Sequence, residues 1–288
     1  MVAYNGKAKL VGVLGDPIAH SLSPAIHEYW LHKYRINGAY VPLKVKAERF
    51  KATVDTLLEI GFVGFNVTLP HKEQAFKIAG SHDMASTICH AANTLVLQSN
   101  GNLHAMNSDA FGFVKMVEHM QQTKSFDKQS VVLLGAGGAA RAIVLALQML
   151  EVKQVVIVNR TYGRAVELVS HLQPYCKNTE LIACQIADAA DYITNAGAVI
   201  NSISVDGNVS ETIYEIIKQT HIDAWIIDVS YGKGGTETTR MATEAGRASV
   251  DGLTMLLWQA FSGFEQWFGV TPEVDDALVS HVKQAMSA

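Results

Sequence analysis

Lys72 closes a run of polar groups, Asn66-Val67-Thr68-Leu69-Pro70-His71-Lys72, that follows the β-rich stretch Val63 to Phe65. Polar side chains take over where a strand is expected to end, and small polar ligands of open α/β sheets bind outside such ends. Asn66 and Thr68 offer neutral hydrogen bonds to a ligand there. The Lys72 ammonium can give a proton to a carbonyl that becomes an alcohol, and the amine can take one back, provided its neighbours tune its pKa. A lysine at a helix start can equally be a solvated stem. Asp109, in Asn107-Ser108-Asp109-Ala110-Phe111-Gly112, precedes the helical run Phe111 to Met120. Its carboxylate can orient Lys72, cap the helix, or do both. Upstream, Ser21-Leu22-Ser23-Pro24 sets two hydroxyls on one side of a turn, with Ser23 at an N-cap position before a proline suited to N1.

A second chemistry is written at Gly135-Ala136-Gly137-Gly138-Ala139-Ala140-Arg141, between the apolar run Val131 to Leu134 and the helical pattern Ala139 to Leu150. Gly135, Gly137 and Ala140 fit the G-x-G-x-x-G/A spacing, which lets backbone N–H groups and a helix N-terminus approach a pyrophosphate. The next strand ends in Asn159-Arg160-Thr161, where NAD-binding crossovers usually carry an acidic residue for the ribose 2′-hydroxyl. Arg160, with Arg164 one helical turn on, offers guanidinium donors to a 2′-phosphate, so NADP is favoured over NAD.

Other chemistries lack their residues. After His27-Glu28 a zinc-protease pattern needs histidine at position 31, which is Leu31, while His32 projects off that face, so no metal site is expected. No G-x-S-x-G or Ser/His/Asp signature occurs, and His20 and His71 read as structural or peripheral. Cys89, Cys176 and Cys184 form no C-x-x-C pair and are odd in number, which fits a reducing cytoplasm better than a disulfide framework. With 49% hydrophobic residues, 17% charged residues and a formal charge of −4, the chain is neither disordered nor a polyanion binder, so nucleic acid is not an expected partner. The first residues carry no apolar leader and no run reaches membrane-spanning length, so the chain reads as mature and soluble.

The elements that must position these residues alternate. Strand-like runs at Leu10 to Leu14, Ala39 to Val45, Val63 to Val67, Val131 to Leu134, Val155 to Val158, Ala198 to Asn201 and Trp225 to Val229 are interleaved with helical spacing at Pro24 to Tyr34, Glu48 to Ile60, Ala139 to Leu150, Arg164 to Leu172 and Ser210 to Gln219. That rhythm predicts parallel sheets in an α/β fold, and 288 residues favour two domains. Asn93 to Gln98 and Leu103 to Met106 flank Asn100-Gly101, which suits a type I′ hairpin ending the first unit. Late in the chain, Trp258, Phe261, Phe264 and Trp267 recur at a spacing of three, which is expected to put them near one face and is read as core packing between domains, and Gly252 before them reads as a flexible joint.

Ser21-Leu22-Ser23-Pro24, Asn66-Val67-Thr68 with Pro70 and Lys72, Ala92-Asn93-Thr94, Asn107-Ser108-Asp109, Gly135 to Ala139, Asn159-Arg160-Thr161, Asp251 to Leu256 and Gln259-Ala260 occur in that order. In this the chain resembles the shikimate dehydrogenases of the shikimate/quinate dehydrogenase family. The resemblance implies two α/β domains: a discontinuous catalytic domain, 1–109 plus 252–288, with a mainly parallel sheet, and a Rossmann-like NADP-binding domain, 110–251. It implies reversible NADPH-dependent reduction of 3-dehydroshikimate to shikimate, a step toward chorismate and the aromatic amino acids, in a monomeric or homodimeric cytoplasmic enzyme. Lys72 and Asp109 would be the catalytic pair. Ser21, Ser23, Asn66, Thr68, Lys72, Asn93, Asp109, Tyr231 and Gln259 match positions that hold the substrate. Gly135, Ala136, Gly137, Gly138 and Ala139 would cradle the pyrophosphate, Asn159, Arg160, Thr161, Tyr162, Gly163 and Arg164 the 2′-phosphate, and Val229 and Gly252 would lie near the nicotinamide. Two alternatives stay open: a quinate/shikimate dehydrogenase using NAD or both cofactors, and a non-catalytic metabolite sensor, which is expected to lack Lys72 or Asp109. Departures from the family pattern are Ser108 for threonine, Ala110 for glycine, Ile203 in Asn201-Ser202-Ile203-Ser204, and Lys233 and Glu237 for prolines, the last two predicting a more mobile loop after Tyr231.

Overall fold

The computed structural model describes residues 5–124, 126, 128–203 and 207–287. The chain divides into two compact units, one of Met1–Ser108 with Leu257–Ala288 and the other of Asp109–Leu256.

In the first unit the chain runs through β1 (Lys9–Gly15), α1 (Ser23–Lys33), β2 (Gly38–Lys44), α2 (Phe50–Glu59), β3 (Phe62–Val67), α3 (Lys72–Ile78), β4 (Ser81–His82), α4 (Met84–Cys89), β5 (Thr94–Leu97) and β6 (Leu103–Met106). The six-stranded sheet has the order β2-β1-β3-β5-β6-β4. β1 is parallel to β2 and β3, whereas β5 is antiparallel to both β3 and β6. One sheet face packs Phe50 and Val54 of α2 and Ala75 of α3 against Leu14, Phe65, Val67 and Leu95. Helix α1 brings the fully buried Ile26 and Trp30, and such large apolar side chains each contribute roughly 1.5–3 kcal/mol by leaving water.

The second unit continues with α5 (Asp109–Met120), β7 (Ser130–Leu134), α6 (Gly138–Met149), β8 (Gln154–Val158), α7 (Tyr162–Leu172), β9 (Glu180–Cys184), α8 (Ala190–Thr194), β10 (Ala198–Asn201), α9 (Gly207–Gln219), β11 (Trp225–Asp228), α10 (Glu237–Glu244) and β12 (Ala248–Val250). Its sheet, β12-β11-β10-β7-β8-β9, is parallel throughout. β7, β8, β10 and β11 are almost wholly buried, as strands covered on both faces must be, and this explains their unbroken apolar runs. α11 (Leu253–Phe268) starts in this unit and ends in the first, to which α12 (Asp276–Ala285) also belongs. Among the described residues no helix is long and apolar enough to cross a membrane.

Several local expectations are corrected. Gly101 has φ +83°, but Asn100 is absent from the left-handed residues, so the hairpin is not type I′. Instead Gly101 N–H donates to Gln98 O and Gln98 N–H to Asn102 O, a three-residue loop with glycine in the bulge position. Ser23 is the first residue of α1 rather than its cap; the N-cap is Leu22, and Ser21 Oγ accepts from Ser23 N–H at 3.4 Å. The four late aromatics do not share a face, because a spacing of three falls behind the helix by about 60° at each step. Phe264 and Trp267 are buried, while Trp258 and Phe261 are half-buried. Gly252 is not a loose joint: its N–H donates to Ser230 O at 2.7 Å, and a Cβ there would collide with Val229 O. α3, β4, α4, β9, α8, α10, β12 and α12 were not marked by the apolar pattern, most of them being short.

Candidate functional site

In the first unit the chain direction of each strand decides which residues meet. β1 and β3 run parallel, so the loop after β1, carrying Ser21 and Ser23, and the loop after β3, carrying Thr68 and Lys72, leave the same sheet edge. β5 runs the other way, which returns its beginning to that edge: Asn66 pairs with Thr94, and Asn93 lies just before. β6 reverses again and delivers Asn107 and Ser108 there.

A hydrogen-bonded web ties these groups. Asn66 Nδ2 donates to Asn93 O and to Thr94 Oγ1, both at 3.2 Å. Asn93 Oδ1 accepts from Ser108 N–H at 3.1 Å and from the Thr94 hydroxyl at 3.0 Å. Ser108 Oγ accepts from Asn93 Nδ2 at 3.1 Å and donates to Gln259 O at 2.8 Å, which seats Gln259 of α11 beside the strand ends. The bridging atom is a hydroxyl, so serine in place of threonine at 108 keeps the bridge.

Lys72 opens α3, half-buried, and its carbonyl accepts from Ala92 N–H at 2.9 Å. His71 before it is fully buried, stacks on Phe50 with ring centroids 4.7 Å apart, and brings Nε2 to 2.7 Å from Val45 O. A carbonyl only accepts, so Nε2 carries the proton, and His71 fixes the backbone from which Lys72 projects. Thr68 N–H donates to Leu14 O at 2.9 Å, locking the loop to β1. Asp109, the first residue of α5, is buried.

The pattern overlooked Tyr40 and His27, which lie behind Asn66. Tyr40 OH donates to Asn66 Oδ1 at 2.6 Å, and burial pushes its pKa well up, the Ser23 hydroxyl partly offsetting that. His27 is wholly buried and its pKa falls from 6.5 to about 3 through loss of solvent. Asn66 tempers this shift, yet its approach falls short of hydrogen-bond geometry, and neither ring nitrogen has a partner among the described residues. A histidine inside an apolar helix stripe and a tyrosine in a strand carry no sequence mark of such roles.

In the second unit the cofactor candidates follow the carboxyl ends of parallel strands: Gly135 to Ala139 after β7, Asn159 to Arg164 after β8, Val229 and Tyr231 after β11, Gly252 after β12. Across the sheet they fall in the order 252, 229, 135, 159. Gly135 N–H donates to Val158 O at 2.8 Å, which pulls the glycine turn against the end of β8. Gly135 has φ +107°, and a Cβ would stand 2.5 Å from Ser202 Oγ and 2.7 Å from Ile203 Cγ2. Beyond it, a Cβ on Gly137 or Gly138 would meet nothing within 4 Å. α6 begins at Gly138 with no side-chain cap and no acidic residue in its first turn, leaving donors and positive dipole open to an anion. Arg160, Thr161, Tyr162, Gly163 and Arg164 are exposed, while Asn159 Nδ2 donates to Thr161 O at 2.9 Å. The residues therefore fit a dinucleotide phosphate.

The loop after Tyr231 turns through Gly235 N–H to Gly232 O at 3.1 Å. Glu237, where proline was expected, is the first residue of α10 behind the Thr236 capping box and pairs with Arg240. Proline and glutamate both suit that helical position. Ser204 lies outside the described residues. Among the described residues no group of three or more His, Cys, Asp or Glu side chains could hold a metal ion.

Residues 13–95 match the family model of the shikimate dehydrogenase substrate binding domain, 117–254 that of shikimate/quinate 5-dehydrogenase, and 252–278 that of the shikimate 5′-dehydrogenase C-terminal domain. The shikimate dehydrogenase (NADP+) of Roseobacter denitrificans is 37% identical over 272 residues, covering 94% of this chain and 96% of that one. The chain belongs to the shikimate dehydrogenase family. The Sinorhizobium medicae shikimate dehydrogenase (NADP+) is 40% identical over 271 residues, 92% of this chain and 91% of its own. Among solved structures, a shikimate dehydrogenase in complex with NADP+ superposes with a TM-score of 0.85 at 25% identity, covering 99% of this chain and 98% of the other. The family carries the two-domain α/β fold seen here.

Proposed function

We propose that this member of the shikimate dehydrogenase family catalyses the reversible NADPH-dependent reduction of 3-dehydroshikimate to shikimate, as a cytoplasmic enzyme, monomeric or homodimeric. The observation that carries the reading is the convergence of Asn66, Thr68, Lys72 and Asn93 at one sheet edge of the first unit, together with an uncapped glycine-rich helix start in the second. Bound NADPH supplies the hydride to C3 of the substrate. Lys72 gives the matching proton to the C3 oxygen and recovers it in reverse, with Asp109 orienting the ammonium. Ser21, Ser23, Asn66, Thr68, Asn93, Tyr231 and Gln259 hold the ring hydroxyls and carboxylate. Residues 1–109 and 252–288 form the substrate side, and 110–251 the cofactor side. There Gly135 to Ala139 receive the pyrophosphate, Val229 and Gly252 face the nicotinamide, and Asn159 to Arg164 take the 2′-phosphate. Arg160 and Arg164 are the groups that favour NADP.

The test is a spectrophotometric assay of purified protein with shikimate and quinate, each against NADP and NAD. The highest kcat/KM is expected for shikimate with NADP. A higher value for quinate with NAD reassigns the substrate. Shikimate binding without reduction of either nucleotide leaves a sensor rather than an enzyme.

A further inference from the structure

Tyr40 in β2 is 2% exposed, so its polar end must find partners inside the protein. A phenol carries one hydrogen, and here it goes to Asn66 Oδ1 at 2.6 Å. The orientation of that amide is fixed by its other contacts. Nδ2 faces Asn93 O, which can only accept, and Thr94 Oγ1, whose own hydrogen points to Asn93 Oδ1. Turning the amide over would set Oδ1 against a carbonyl oxygen and leave Tyr40 without its acceptor. One buried hydroxyl thus joins β2 to β3.

His27 lies one helical turn beyond Ser23 and stacks on the Tyr40 ring, with centroids 4.0 Å apart and planes 11° apart. Trp30, Phe264 and Trp267 close around His27, their centroids 5.7, 5.9 and 5.7 Å from its own. Burial without a partner for either ring nitrogen is a cost, and it keeps the ring neutral and flat against Tyr40.

We propose that Tyr40 is a positioning residue for the substrate: its hydroxyl holds Asn66 in its binding orientation before the substrate arrives, with His27 as the platform that fixes the phenol. The inference rests on the placement of Asn66 in the substrate site. Ordering this side chain in advance lowers the cost of binding and leaves the proton and hydride steps to other groups. Loss of the hydroxyl is therefore expected in KM rather than in kcat.

Tyr40→Phe keeps the stacked ring and removes the one oxygen. With the full-length protein and NADP, KM for shikimate is expected to rise roughly tenfold, with kcat within about threefold of wild type and KM for NADP unchanged. Thermal melting monitors the fold, and Asn66→Ala is measured alongside. An unchanged KM for shikimate in Tyr40→Phe, when Asn66→Ala raises it, overturns the inference and leaves the site in place. An unchanged KM in Asn66→Ala overturns the placement of Asn66 in the site, and the inference with it. A fall in kcat equal to the loss in kcat/KM also counts against positioning. Should Tyr40→Phe not fold, the double variant Tyr40→Phe/Asn66→Ala decides: with no amide left to hold, loss of the hydroxyl adds no further rise in KM over Asn66→Ala, and a further rise overturns the inference.

Discussion

The chemistry proposed for Lys72 depends on where its backbone is held. The buried His71 before it and the Ala92 N–H on its carbonyl fix the first turn of α3, so the ammonium projects from a rigid start. Lys72→Ala is expected to lower kcat by about 10²- to 10⁴-fold with a smaller change in KM for shikimate, measured in steady state. Arg160→Ala with Arg164→Ala should raise KM for NADP roughly tenfold or more and leave NAD use nearly unchanged, since the proposed partner of these guanidinium groups is the 2′-phosphate that NAD lacks. His27 sets a pH dependence. Its pKa is near 6.5 in the unfolded chain and about 3 in the folded one, so the unfolded chain binds more protons between those values. The stability that the neutral ring brings is whole above pH 6.5 and drains as pH falls toward 3. The melting temperature should therefore drop more steeply from about pH 6 to about pH 4 in wild type than in His27→Phe. Lys72, Asn66 and Thr68 were legible because polar groups crowd the end of an apolar run. Tyr40 and His27 were not, since their part depends on which neighbours a folded strand and helix bring to them.

At the scale of elements, the glycine turn shows how little room the proposed phosphate cradle leaves. Gly135 combines a left-handed backbone with neighbours at 2.5 and 2.7 Å from any added Cβ. Gly135→Ala is expected to cost on the order of 1–3 kcal/mol of stability and to raise KM for NADP more than KM for shikimate, as read by denaturant unfolding and initial rates. Ile203, which departs from the family pattern, is one of those neighbours, so its methyl groups now help shape the turn. The buried strands β7, β8, β10 and β11 could be read directly, because parallel strands covered on both faces are unbroken apolar runs. β9 escaped: it is an edge strand with the exposed Glu180, and half-exposed edges dilute the apolar signal. α3 escaped for another reason, being seven residues long and mostly polar.

At the scale of the whole molecule, the two-layered alternation announced α/β units, but no periodicity could say that the first sheet is finished by residues far along the chain. Trp267 Nε1 donates to Leu95 O at 3.0 Å, Lys9 Nζ to Trp267 O at 2.9 Å, and Trp30 Nε1 to Glu273 O at 2.8 Å. Lys33 adds ion pairs to Glu273 at 2.6 Å and Asp275 at 2.7 Å. Phe264, fully buried, packs between Trp30 and Phe268. A chain ending at Leu256 should therefore keep a cooperative unfolding transition for the second unit and lose shikimate binding, as calorimetry and titration would show; retained binding contradicts that dependence. The path of α11 out of one unit and into the other also sets a timetable for synthesis. Residues 109–256 leave the ribosome as a contiguous stretch and can fold at once, whereas the sheet begun at Lys9 waits for Phe264 and Trp267. The part of the protein that is made first is completed last, and until then the apolar surface that Phe264 and Trp267 cover has no partner from its own chain.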